Sequence, residues 1–244
     1  IAWLQRHAEG YAVSLADVTD DYAVLGLMGP DSASIADALD APELNAIGYF
    51  RARQLQTRGI EVLAVRLSYV GEAGWEITVP VAEADALYDL LYQAGARPAG
   101  TLAQTSMRIE KRFLALGHDL DTDVSPLQAG LGFAVAWRTE FIGKEALVAQ
   151  RASGETNRII SLVLDDADAV PLGNEPVYFE GRIAGKTTSA SFGYRVGKPI
   201  ALADMSCAAA REPGAQVEID IAGERFVARV TVGAVFDPTG ERMR

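Results

Sequence analysis

The chain has 244 residues, 49% of them hydrophobic and 23% charged, which is enough apolar material for one large domain or two to three small ones and excludes a disordered chain. A net charge of -11 without any Lys/Arg run argues against gripping nucleic acid or an anionic membrane surface, and no apolar run reaches the roughly 18 residues of a membrane span. One cysteine, Cys207, and two histidines, His7 and His118, exclude an internal disulfide and a Cys/His zinc cluster and fit a reducing compartment, the cytoplasm or, in a eukaryote, the mitochondrial matrix.

Ile1 to Glu9 reads as the tail of a helix with Trp3, Leu4 and Ala8 on its apolar side, stopped by Gly10. The start on Ile1 rather than Met suggests a chain whose first part is missing. Tyr11 to Asp17 alternates weakly, as a strand would, and Ala23 to Met28 is a more apolar strand broken by Gly29-Pro30. Asp31 is placed to cap a helix from Ser32 to Leu39. Arg58-Gly59 separates strands at Arg51 to Thr57 and Ile60 to Ser68. Val81 to Ala94 predicts an amphipathic helix with Leu87, Leu90 and Leu91 inward. Thr101 to Leu116 predicts another, with Leu102, Met107, Ile109 and Phe113 as its apolar positions and Gly117 as its stop. A Gly- and Pro-punctuated crossing leads to a shorter helix, Phe141 to Arg151.

The character changes near Ser153-Gly154. Beyond it come short β-rich runs at Ile159 to Leu164, Pro176 to Phe179, Arg182 to Thr188, Val217 to Ile221 and Phe226 to Val232, punctuated by Gly and Pro at barrel-like spacing. The expected fold is therefore α+β, with helices and antiparallel sheet over residues 1–153 and a small all-β barrel over 154–244. His118-Asp119, followed by Asp121 and Asp123, lacks the Gly and terminal Glu of a calcium loop and reads as a polar turn, not a metal site.

The most informative stretch is SYVGEAGWEITVP, Ser68 to Pro80, read as strand, tight turn and strand. If Val70 pairs with Trp75, then Tyr69 lies opposite Glu76 and their side chains share a face. This stretch resembles the tyrosine-x-glycine-glutamate hairpin of the aminomethyltransferase family, the glycine cleavage T-protein fold. MRIEKRFLALGHDLDTDVSPLQAGLGFAV, FIGKEAL and TTSASFGYRVGKPIALADM resemble that family's further signatures, in the family's order. Arg108-Ile109-Glu110-Lys111, Gly117-His118-Asp119 and the ending Phe236-Asp237-Pro238-Thr239-Gly240 are similar to the folate-binding C-terminal region of dimethylglycine and sarcosine dehydrogenases.

The resemblance implies tetrahydrofolate as cofactor, an amine-derived iminium as reaction partner and 5,10-methylenetetrahydrofolate as product. It also implies an FAD domain, outside this sequence or on another chain. Glu76 matches the family's pterin-binding glutamate: a carboxylate offers two acceptors to the two adjacent N–H donors on the pterin edge. Tyr69 matches the neighbouring tyrosine, whose ring would hold the flat ligand. Tyr194 is a candidate for the same cofactor or a turn tyrosine. Arg108 would meet the anionic folate tail, or pair with Glu110 or Asp119 at the surface. The family's folate-binding arginine is replaced here by Gln104, which carries no charge. Its catalytic aspartate would directly precede Ile1, and Asp17, Asp20 and Asp21 do not inherit the role, so no catalytic residue is assigned. Two other functions fit the same fold: a non-catalytic folate-binding module for regulation or assembly, and a folate-dependent demethylase.

Overall fold

The computed structural model describes residues 1–206, 210 and 212–244; Cys207 lies outside the described residues. Packing groups the chain into two compact units, one of Ile1–Ser68, Glu72–Pro98 and Arg242–Arg244, the other of Tyr69–Gly71 and Ala99–Glu241.

The first unit is built on a four-stranded antiparallel sheet of order β1-β4-β3-β2, from β1 (Tyr22–Met28), β2 (Ala52–Thr57), β3 (Ile60–Arg66) and β4 (Gly74–Pro80). Strand alternation sends Trp75, Ile77 and Val79 of β4 into a core shared with Leu27, Leu39, Leu44, Val62, Ala64 and the helix α3 (Ala84–Gln93) through Leu87 and Leu91. The indole of Trp75 donates to the Leu44 carbonyl at 2.9 Å, so the strand is pinned from its buried side. Helix α2 (Ser32–Ala38) follows β1; Asp31 occupies its N-cap position, but its side chain makes no capping hydrogen bond.

Three expectations are corrected in this unit. Tyr11 to Asp17 forms no strand. Helix α1 (Ala2–His7) is six residues long and buries none of them; Trp3 instead stacks on His7 one turn away, with ring centroids 4.1 Å apart. The Tyr69–Glu76 pairing does not form either. Strand β3 ends at Arg66, the chain bends through residues 69–73, and Glu76 pairs with Val65 on one side and Gly26 on the other. Gly74, which looked like part of a hairpin turn, is required for a different reason: any Cβ there would collide with the backbone of Leu27 and Met28 on β1.

The second unit holds helices α4 (Thr101–Glu110) and α5 (Lys144–Ser153) and a closed barrel of order β10-β5-β8-β7-β6-β9. Its strands are β5 (Arg158–Leu164), β6 (Pro176–Phe179), β7 (Arg182–Gly193), β8 (Lys198–Met205), β9 (Gln216–Ile221) and β10 (Glu224–Thr231). The expected helix-and-sheet part followed by a barrel is thus present, and the barrel strands start soon after Ser153, the end of α5. Strand β8, absent from the sequence reading, is buried from Pro199 to Ala203 and pairs with both β5 and β7.

Helix α4 ends at Glu110, not at Leu116. Arg112 takes a left-handed φ of 55°, which lets Phe113 N–H reach the Arg108 carbonyl at 2.8 Å and Arg112 N–H reach the Ile109 carbonyl at 2.9 Å. This is a Schellman-type stop made with arginine where glycine is usual. It turns residues 113–119 into a compact loop at the end of α4.

Candidate functional site

In the first unit the feature that stands out is Glu76, half-buried in the middle of the central strand. Trp75 and Ile77 on either side are locked into the core, so alternation fixes Glu76 on the opposite face. Among the described residues no hydrogen bond or ion pair reaches its carboxylate. Its neighbour on β1 is Gly26, which has no side chain; a Cβ built there would touch only the Met28 methyl carbon, at 3.9 Å. The glutamate therefore stands beside an open slot on the sheet face.

A second acid in the same stretch was overlooked in the sequence. Glu72 is 7% exposed and accepts from Arg242 Nε on both carboxylate oxygens, at 3.0 and 2.9 Å. The arginine lies 170 residues away, which no local pattern reveals. Of the two glutamates, one is committed to a protein partner and the other is available.

In the second unit, the residues flanking the end of α4 form a buried polar network. Arg108, 4% exposed, pairs with Asp119, 2% exposed, through Nη1 and Oδ2 at 2.5 Å. The pairing with Asp119 weighed in the sequence is present, in the interior and not at the surface. Arg108 also donates to the Phe113 carbonyl at 3.1 Å and to Ser189 Oγ at 2.7 Å. Asp119 further accepts from Ala115 N–H at 2.9 Å and from Thr188 Oγ1 at 2.6 Å. The residue read as part of a polar turn is thus a buried hub, while its neighbours Asp121 and Asp123 are exposed. Among the described residues no cluster of His, Cys, Asp and Glu is placed to hold a metal ion.

Tyr69 donates its hydroxyl to the Leu114 carbonyl at 3.3 Å, and its ring lies within 9° of parallel to Phe113, centroids 6.1 Å apart. Burial pushes its phenol above the ordinary tyrosine range, with Arg108 pulling it down and Asp119 up. Tyr194 is 79% exposed just beyond β7, its ring edge-on to Phe192 at 5.1 Å. Gln104 is exposed on α4. The rest of the α4 end is also spoken for: buried Glu110 accepts from Arg195 N–H and Nε at 2.7 and 2.5 Å, and Lys111 Nζ meets Asp237 Oδ2 at 2.8 Å.

Comparison with known proteins adds a second kind of observation. The family model of the GCVT N-terminal domain matches residues 1–139, and that of the glycine cleavage T-protein C-terminal barrel domain matches residues 157–237. The chain is 33% identical over 256 residues to mitochondrial dimethylglycine dehydrogenase of Homo sapiens, covering 100% of this chain and 29% of that protein. It is 36% identical over 239 residues to the aminomethyltransferase of Methylococcus capsulatus, covering 95% of this chain and 65% of that protein. Among solved structures, the glycine cleavage system aminomethyltransferase T from Bartonella henselae superposes with a TM-score of 0.85 at 23% identity, over 97% of this chain and 65% of that one. At that identity the likeness is one of fold. This chain spans less than two thirds of the length of each of these proteins.

Proposed function

The chain belongs to the glycine cleavage T-protein (aminomethyltransferase) family, and from that premise we propose that it binds tetrahydrofolate and serves one-carbon transfer in a dimethylglycine- or sarcosine-dehydrogenase-like enzyme, giving 5,10-methylenetetrahydrofolate. The observation that carries the reading is Glu76: a half-buried carboxylate on a rigid central strand, without a protein partner among the described residues and facing Gly26 across the ladder. Its two oxygens suit the paired N–H donors on the edge of a pterin, and a bidentate, charge-assisted contact both binds and orients a flat ring.

The carboxylate of Glu76 and the rings of Tyr69 and Tyr194 each suit a pterin chemically. Glu76 takes the pterin edge. Tyr69 and Tyr194 offer aromatic surface, the first set by its loop and the second exposed. Arg108 serves by holding that loop, since Asp119, Ser189 and the Phe113 carbonyl already take its terminal nitrogens. Bound folate would supply the nitrogens that take up the one-carbon unit. The protein's contribution is to hold the reactants in line, and proximity of that kind supplies much of such a rate. The oxidation that yields the iminium is assigned to a flavin domain, in cis or on another chain.

The test is calorimetric titration of the chain with tetrahydrofolate under reducing conditions. It is followed by incubation with folate and an iminium generated by a flavin amine dehydrogenase, reading methylenetetrahydrofolate against free formaldehyde. Saturable binding and a rise in the folate product at the expense of formaldehyde are expected. Absence of binding rejects the reading; binding without any change in product partition rejects the transfer role.

A further inference from the structure

We propose that Asp119 is a positioning residue that sets Tyr69 through the loop at residues 113–115; this rests on the folate reading of Tyr69 given above. The loop is held at three successive residues. The Phe113 carbonyl accepts from Arg108, the Leu114 carbonyl accepts from the Tyr69 hydroxyl, and the Ala115 N–H donates to Asp119. The peptide that receives the phenol, Leu114 C=O with Ala115 N–H, is therefore held by Asp119 through its own N–H, and the peptide before it is held by Arg108, the other member of the buried ion pair. Phe113, whose backbone Arg108 grips, is also the residue whose ring lies parallel to Tyr69. Moving Asp119 moves both the anchor of the hydroxyl and the surface behind the ring.

The barrel contributes to the same device. Successive residues of a regular strand point to opposite faces, so Thr188 and Ser189 should not serve one group. The β7–β8 register shifts between Thr187 and Ser189, leaving Thr188 as an extra residue. This bulge aims both hydroxyls at the pair, Thr188 Oγ1 at Asp119 Oδ1 and Ser189 Oγ at Arg108 Nη2. Asp119 is thereby oriented from two directions, by α4 and by the barrel, before it fixes Ala115. A residue needed only to neutralise Arg108 would not require both of its oxygens to be directed.

The test is Asp119→Asn in the full chain, which keeps the size of the side chain and removes its charge. Tyr69 ring resonances, assigned by their loss in Tyr69→Phe, are expected to shift, while those of Tyr178 in the barrel stay in place. Tetrahydrofolate binding is expected to weaken about tenfold in the wild-type background and less than twofold in a Tyr69→Ala background, the signature of coupled neighbours. Equal weakening in both backgrounds, or unmoved Tyr69 resonances, overturns the proposal. If Tyr69→Ala itself leaves folate affinity unchanged, the folate role of Tyr69 is what fails, and the resonances alone decide on positioning. Should Asp119→Asn not fold, Thr188→Val leaves the ion pair intact, removes one orienting hydroxyl, and is read in the same two ways.

Discussion

Replacing Glu76 by alanine isolates the central claim, because the side chain has no partner among the described residues to lose. Hydrogen bonds to a charged group contribute about 1.5–3 kcal/mol each, and a pterin edge would make two of them with this carboxylate. Glu76 is only half-buried, so water competes, and the sum falls to or below the lower end of its range, about 2–3 kcal/mol for the pair. At about 1.4 kcal/mol per factor of ten, that is a loss of roughly 30- to 150-fold in tetrahydrofolate affinity. Glu76→Gln keeps one acceptor but turns an amide N–H₂ toward the second ligand donor, so its loss should be comparable. The assay is calorimetric titration, paired with thermal denaturation of the unliganded proteins. Both variants should melt within the range of an ordinary surface substitution, about 0.5 kcal/mol. Unchanged affinity in Glu76→Ala refutes the reasoning, and so does a loss of affinity that merely tracks a loss of stability.

Gly26→Val puts a branched side chain beside Glu76 where the backbone leaves room for a Cβ; the fold should tolerate it by thermal melt, and tetrahydrofolate affinity should fall about tenfold or more as the slot fills. Arg108→Met strands Asp119 as a buried carboxylate and should cost about 3–5 kcal/mol in urea denaturation. The raised Tyr69 phenol gives a pH dependence of known sign. A group whose folded pKa lies above its unfolded value, about 10 for tyrosine, contributes stability that is fully present below that value and lost as pH rises through the folded one. Melting curves across the alkaline range should therefore fall less steeply for Tyr69→Phe than for the parent, and parallel curves would contradict the assigned burial.

What the sequence made legible was alternation, and what it concealed was pairing. In Trp75-Glu76-Ile77-Thr78-Val79 the apolar residues announce the core face, so the outward direction of Glu76 could be read directly. The identity of its neighbours could not be. A Gly at position 74 suits a hairpin turn and a close strand approach equally well, and only the Leu27 backbone against it decides which. The overrun of α4 has the same origin, since a Schellman stop normally advertises itself with glycine and here the left-handed residue is Arg112.

The face of α4 shows why hydrophobic periodicity misleads at such a place. Leu102, one of the apolar positions of the sequence pattern, is 85% exposed, whereas Ser106, Arg108 and Glu110 are among the buried residues of that helix. Each of these polar groups would be costly to bury alone, and each has a partner supplied by a distant segment. Ser106 donates to the Phe192 carbonyl at 2.6 Å, Arg108 meets Asp119 and Ser189, and Glu110 accepts from Arg195 and Val196. Burial at these positions follows from complementarity with β7, the β7–β8 connection and the loop that holds Asp119, not from the apolarity of the helix. A pattern that scores each residue by its own transfer free energy will therefore turn such a helix the wrong way round, and Asp119, whose place depends on Arg108 and on a bulge at Thr188, will pass for an ordinary turn residue.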